Sequence, residues 1–408
     1  MSTPGHAEAP GLAREFGWDA GPRGRALFLI AVLFSSFQVV TAAFSPLSSV
    51  VVRAIHVGFL LLMTFALFPG VSAKRQPLPG VAWLLGGAGF LLAFYHWIFE
   101  GDLVQRAGDP TQLDLVVGVA TLVLVFEAAR RVMGPALPLI CGAFLAYALF
   151  GNYLPGALAH RGFAFSQVID QLGFGTEGIY GIPTYVSSTY IFLFILFGSF
   201  LEQAGMIRLF TDFAMGTVGH TRGGPAKVSV ISSGLMGTIN GSGVANVVTT
   251  GQFTIPLMKR FGYRAEFAGG VEATSSMGGQ IMPPVMGAVA FIMAETIDVP
   301  YVEICKAAAI PAVLYFLTAF LMVHLEAGRT GLLGMPKADC PDPWAAVKLR
   351  WYLILPLAIL VYLLFAGYTP LFSGMVGLIL TLVLIFGASL TKNFGNRPWQ
   401  IIFWILIG

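Results

Sequence analysis

Glu272 and the hydroxyls, amides and glycines spaced around it are the residues of this chain best suited to chemistry. The stretch Ser275–Pro284 reads SSMGGQIMPP, in which Gly278 and Gly279 remove side chains and Pro283 and Pro284 remove two backbone donors. Carbonyls freed near Ser276–Ile281 suit a small hard cation, which takes only oxygen ligands. Ser275, Ser276 and Gln280 add side-chain oxygens, and Glu272 lies one helical turn before the two serines. An acid there can ligate a cation, carry a proton or pair with a base. A second interruption, Thr238–Gly243 (TINGSG), offers Asn240, Ser242 and the amides of Gly241 and Gly243. A helix restarting at Val244 points its positive dipole end at that break. Asn246, Thr249 and Thr250 follow at i, i+3 and i+4, on one face. Sodium is a candidate metal at the oxygens of Asn240, Ser242, Ser275 and Ser276. Each feature also has a plainer reading. Glycines such as Gly241, Gly243, Gly269 and Gly270 let helices approach, and hydroxyls in spans bond back to their own helix. A glutamate inside a membrane is different, because leaving it unpaired is costly.

The elements that must hold these residues are membrane helices. The chain has 408 residues, 56% hydrophobic and 11% charged, with mean hydropathy +0.79; a soluble domain carries roughly 25% charged residues. Apolar runs of about twenty residues mean helices rather than an outer-membrane barrel. The expected fold is an all-α integral membrane protein with complete spans near 26–44, 52–71, 81–98, 114–131, 135–151, 183–203, 264–298, 304–325, 351–368 and 371–391. A further apolar run opens at Pro398. Lys227–Gly237 predicts a helix of roughly 15 Å, and Val244–Met258 a returning one. Together 223–260 is expected to be a re-entrant hairpin, and 264–298 a helix broken at Ser275–Pro284. Interrupted apolar segments of this kind point to a transporter's binding site.

Charge supports the hairpin. With the N-terminus cytoplasmic and 223–259 entering and leaving on that side, all but four of the 23 Lys and Arg face the cytoplasm. The exceptions are Arg53, Arg106, Arg161 and Lys306, while Arg14, Lys74, Arg75 and Arg397 count inside. The net charge of +3 thus reflects topology and not nucleic-acid binding. Arg14, Glu15 and Asp19 precede the first span without a cleavage site, which predicts an uncleaved helix. Cys141, Cys305 and Cys340 have neither disulfide nor metal spacing. The histidines, at 6, 56, 96, 160, 220 and 324, form no nucleophile system or HExxH. No GxxxxGK[ST] is present, so neither an enzyme nor an ATP-driven pump is expected. His56 and His96 read as packing or interfacial residues. Glu266 reads as a salt-bridged partner of the Lys259-Arg260-Arg264 cluster. Asn152–Ile182 reads as an interfacial stretch that either docks a partner or merely connects, and Glu326–Lys348 as a linker.

The segments GGPAKVSVISSGLMGTINGSGVANVVTTGQFTIPLMKR and EATSSMGGQIMPPVMGAVAFIMAE resemble the membrane subunits of tripartite ATP-independent periplasmic (TRAP) transporters. Among these, the chain is most similar to TAXI-type fusions of a four-helix and a twelve-helix part. The resemblance implies an elevator-type secondary transporter of the bacterial inner membrane. A periplasmic solute-binding protein delivers a small organic anion, often a carboxylate, and a sodium or proton gradient drives uptake with no other cofactor. It places 1–132 in the small-subunit-like part, 133–330 in the first half of the large subunit, and 331–408 in a linker and the start of the second half. Asn240–Asn246 and Ser275–Pro284 then form the first ion and substrate half-site. Nothing after Lys348 repeats the GSGxAN or GGQIMPP pattern. A truncated chain holding only the first inverted repeat is therefore expected, with a separate chain supplying the second. A non-transporting scaffold or remnant is the alternative.

Overall fold

The computed structural model describes residues 21–68 and 79–392. Arg14, Glu15, Asp19, Lys74, Arg75, Arg397 and the apolar run from Pro398 lie outside the described residues. Within them the structure is helical throughout, with no strand. Nine of the described helices are long and apolar enough to cross a membrane. They overlap nine of the ten expected spans; the tenth, 264–298, is two short helices. Contacts divide the chain into two units, Met1–Ser188 and Thr189–Gly408.

The first unit contains α1 (Gly21–Phe44), α2 (Ser49–Leu67), α3 (Pro79–Ile98), α4 (Glu100–Gln105), α5 (Gln112–Met133), α6 (Ala136–Phe150), α7 (Phe165–Gly173) and α8 (Ile182–Val186). Helix α2 starts at an N-cap, Ser48, whose hydroxyl accepts from the Val51 amide. Its Ala54, Val57, Leu61 and Phe65 form a core with Leu124 and Tyr180. Gly58 lets α3 close in, since a Cβ there would stand 2.7 Å from that of Ala93. His56 and His96 are buried. The His56 ring lies between the Gln38 amide and the Ser187 hydroxyl, and His96 packs edge-on to Tyr180. Both are interior packing residues and not interfacial anchors. Asp114 is also buried: it accepts from the Tyr95 hydroxyl at 2.6 Å, from Arg106 at 2.8 Å and from the Thr111 amide at 2.8 Å. Helix α7, within the long segment after α6, buries Val168 and Ile169.

The second unit contains α9 (Phe192–Ala204), α10 (Met206–Val218), α11 (Gly224–Asn240), α12 (Gly243–Arg260), α13 (Ala265–Met277), α14 (Ala288–Thr296), α15 (Tyr301–Thr330), α16 (Pro343–Arg350), α17 (Ile354–Phe365) and α18 (Pro370–Lys392). Helix α10 is absent from the expected elements. Too short to span, it buries Met206, Leu209, Phe210 and Ala214 at helical spacing. The expected linker Glu326–Lys348 is built into the fold instead. Glu326–Thr330 completes α15, the Met335 amide donates to the Gly219 carbonyl at 2.8 Å, and Arg350 of α16 pairs with Asp212 of α10 at 3.2 Å.

Candidate functional site

Helices α11 and α12 run as an antiparallel pair joined by two residues, Gly241 and Ser242. The first limb is longer than the sequence suggests: 17 residues, about 25 Å at 1.5 Å per residue. Thr238, expected in the break, stays helical because its hydroxyl donates to the Leu235 carbonyl at 2.6 Å. The helix stops only at Gly241, whose φ of +58° favours glycine. A Cβ there would also stand 1.8 Å from the Met286 carbonyl oxygen. Ser242 then caps α12, its hydroxyl accepting from the Ala245 amide at 3.3 Å.

The second interruption also differs from expectation. Ser275 and Ser276 belong to α13, and the helix loosens only at Gly278. Four of the carbonyls beyond it have partners inside the protein. Gly279 accepts from the Met282 amide at 3.2 Å, and Gln280 from the Gly287 amide at 2.7 Å. The buried Tyr301 hydroxyl lies 2.9 Å from the Pro284 carbonyl and 2.6 Å from that of Val285. Gln280 is exposed, Pro283 half-buried and Pro284 buried. The second interruption meets α11 backbone to backbone: a Cβ on Gly237 would stand 2.3 Å from the Gly279 Cα. Gly243 packs on Met277, and Gly278 on Tyr315. These glycines serve close packing, whereas Gly269 and Gly270 face nothing within 4 Å.

Behind this junction lies Glu272, with no exposed surface. Five hydroxyls converge on its carboxylate. Ser229 donates at 2.6 Å, Ser276 at 2.9 Å and Ser233 at 3.1 Å, and Thr250 and Thr254 complete the set. All five are buried. Among the described residues no Lys, Arg or His forms an ion pair with Glu272. Hydroxyls satisfy the oxygens but bring no countercharge, and a buried charge without one is costly.

The proton count is tight. Thr250 has one hydroxyl hydrogen for Glu272 and for the Asn246 carbonyl at 2.7 Å. Thr254 likewise faces both Glu272 and the Thr250 carbonyl, the latter at 3.0 Å. Each threonine can serve only one acceptor at a time. An added proton or a small cation would relieve that shortage and supply the missing charge. The arrangement suits reversible binding of a positive charge. It contains no nucleophile–base pair, and among the described residues no cluster of His, Cys, Asp or Glu suits a transition metal.

Asn246 is fully buried beside this cluster, its amide donating to the Ser233 carbonyl at 2.8 Å. Thr249 is half-buried and bonds back to Ala245 and Asn246. Ser275 is buried with its hydroxyl unpartnered. The Asn240 side chain turns to Glu202 of α9, donating to its carboxylate at 3.0 Å. Gly198, one turn earlier on α9, lets the Asn240 backbone approach; a Cβ would stand 3.3 Å from its Cα. Glu266 pairs with Arg264 at 3.7 Å in solvent-exposed surroundings. Ser229, Ser233, Thr254 and Glu202 were not singled out from the sequence. The available signal was the i, i+4 spacing of Ser229 with Ser233 and of Thr250 with Thr254, which points each pair along one helix face.

Comparison with known proteins adds the lineage. Several relatives share 26–31% identity with this chain. The C4-dicarboxylate TRAP transporter large permease protein DctM of Pseudomonas aeruginosa is 31% identical over 179 residues, covering 43% of this chain and 41% of the relative. The sialic acid TRAP transporter large permease protein SiaM of Vibrio cholerae is 28% identical over 178 residues, covering 43% and 41%. The 2,3-diketo-L-gulonate TRAP transporter large permease protein YiaN of Escherichia coli is 26% identical over 184 residues, covering 45% and 43%. The chain thus spans less than half the length of these relatives. Residues 120–399 match the family described as "Tripartite ATP-independent periplasmic transporter, DctM component". By that match the chain belongs to the DctM family of TRAP transporter permeases, which are transport proteins and not enzymes.

Proposed function

We propose that this chain is a membrane permease component of a binding-protein-dependent secondary transporter. It imports a small organic anion, a carboxylate, on a sodium or proton gradient. The observation that carries this reading is Glu272, a buried acid that gathers five hydroxyls from three helices and, among the described residues, has no basic partner. Glu272 is the coupling-ion group in this reading. Asn240–Asn246 and Ser275–Pro284 line the adjoining substrate half-site, and Ser275 offers a free oxygen. The relatives named for C4-dicarboxylates, sialic acid and 2,3-diketo-L-gulonate support an organic acid as cargo.

In the same reading α11 and α12 enter and leave the bilayer from the cytoplasmic side, and the unit carrying them moves as an elevator. A periplasmic solute-binding protein presents the cargo. Residues 1–132 act as the small-subunit-like part of a TAXI-type fusion in the bacterial inner membrane, with a cytoplasmic N-terminus, and 133–330 begin the large subunit. The test is uptake by cells carrying E272Q or N240A at the native locus, with sodium and pH varied independently. Loss of uptake at unchanged membrane abundance supports the assignment. Unchanged uptake and ion dependence in both variants overturns it.

A further inference from the structure

Hydrogen-bond donors accumulate without acceptors where α11 begins. Lys227 is 4% exposed, yet among the described residues its ammonium reaches only the Thr221 hydroxyl, at 3.2 Å, and the face of Phe320, 4.8 Å from the ring centre. It stands in the first turn of α11, where the helix dipole already presents positive charge. Arg222 lies beside it in sequence and donates to His324 Nε2 at 2.8 Å. A guanidinium is always a donor, so Nε2 accepts and the imidazole hydrogen sits on Nδ1. That Nδ1 is buried with no partner among the described residues.

The Tyr263 hydroxyl is a second orphan. The residue is 5% exposed and its oxygen has no partner among the described residues. A Cβ on Gly223, the residue between Arg222 and the start of α11, would stand 3.0 Å from that oxygen. The carboxylate on the neighbouring turn, Glu326, is tied to Arg329 by two bonds of 2.9 Å. Among the described residues, neither Arg222 nor Lys227 has a carboxylate partner. Two cations, an orphan N–H and an orphan O–H thus surround the same turn. Each buried donor left unmade is costly, and one multivalent acceptor would satisfy them together.

We propose that Arg222, Lys227, Tyr263 and His324 form a binding site for a phosphate-type oxyanion. Four donors suit an acceptor with several oxygens, and a guanidinium beside an ammonium suits phosphate. An anionic lipid headgroup and free phosphate share this chemistry. Arg222 is exposed while Lys227 is buried, so the anion enters past the arginine and is held by the lysine. The site is independent of Glu272.

Two arms of one experiment separate the sources. The full chain is placed in phosphatidylcholine nanodiscs containing a minor fraction of phosphatidylglycerol, and retained lipid is measured by native mass spectrometry. A detergent sample is titrated with inorganic phosphate against chloride at matched ionic strength and followed by phosphorus NMR. R222Q and K227M should each weaken anion retention about fivefold, the effect of one basic side chain near an anionic surface. K306Q, which removes an exposed cation toward the opposite end of α15 from His324, and E272Q should leave retention unchanged. Selective phosphatidylglycerol retention with that pattern assigns the site to lipid; the same pattern with phosphate alone assigns it to the free anion. No binding in either arm, or an equal loss in K306Q, overturns the proposal. Should K227M fail to accumulate, R222Q and Y263F carry the test, because one changes an exposed side chain and the other removes only a hydroxyl.

Discussion

Replacing Glu272 by glutamine separates an ion-binding acid from a merely structural one. Three hydroxyls, those of Ser233, Thr250 and Ser276, point at Oε1, and two, those of Ser229 and Thr254, point at Oε2. The glutamine amide disturbs least with its nitrogen in the Oε2 position. Thr254 then keeps the Thr250 carbonyl at 3.0 Å, and Ser229 turns to accept from the amide. All five bonds to the charged carboxylate become neutral ones, a loss of about 1 kcal/mol each. Against this, the variant no longer buries a charge without a countercharge, which returns several kcal/mol. E272Q should therefore be as stable as the wild type, or more so, when the coupling ion is absent. With the ion at a hundred times its dissociation constant, the wild type gains about 2.7 kcal/mol and the variant gains nothing. The assay is urea or thermal unfolding of the purified chain in sodium and in choline, repeated across pH. Sodium coupling predicts a sodium-specific gain, and proton coupling predicts a pH-dependent gain indifferent to sodium; E272Q abolishes either one. Identical responses of the two proteins to sodium and to pH refute the argument. So does a large destabilisation of E272Q under every condition.

Other outcomes follow from the same geometry. Gly237→Ala should destabilise by about 1–3 kcal/mol or more, because its Cβ meets the Gly279 backbone at 2.3 Å; Gly269→Ala, with nothing within 4 Å, should be neutral in the same melting experiment. Tyr301→Phe strands the Val285 carbonyl, while that of Pro284 keeps the Cys305 thiol at 3.6 Å, a cost of about 1–3 kcal/mol. Protease sensitivity near residues 282–287 should rise with it. Glu202→Gln keeps an acceptor for Asn240 and should be mild. Glu202→Leu removes it, at a cost of about 1–3 kcal/mol for the stranded amide, and urea titration distinguishes the two.

Much of the fold was legible because membrane helices announce themselves by composition. Nine spans could be placed from apolar length alone, and the turn of the helical pair was confined to Thr238–Gly243. What local sequence could not show was where the helix stops. Thr238 and Asn240 look like breakers, yet a threonine hydroxyl can bond to its own helix, and the decisive residue is Gly241 with its positive φ. Helix α10 was hidden for a related reason. It is too short for a span, and Arg208 and Asp212 give it the look of a loop, although Leu209, Phe210 and Ala214 form a buried face.

The candidate site was legible in its acid and not in its partners. Glu272 stands out in sequence because an acid in an apolar run demands compensation. Ligand oxygens for a cation were expected from the carbonyls freed near Ser276–Ile281, and that inference treated an interrupted helix as unsatisfied. The Met282 and Gly287 amides occupy those of Gly279 and Gln280, and the Tyr301 hydroxyl reaches those of Pro284 and Val285 beyond. The oxygens around Glu272 come instead from hydroxyls on regular helices, each of which could equally have bonded to its own backbone. Thr250 and Thr254 do both, and that double duty leaves the cluster short of hydrogens. The interrupted backbone therefore has a different task from the one its sequence suggested. It brings Gly237 against Gly279, which fixes α11 beside α13 and holds the hydroxyls of three helices within reach of one carboxylate.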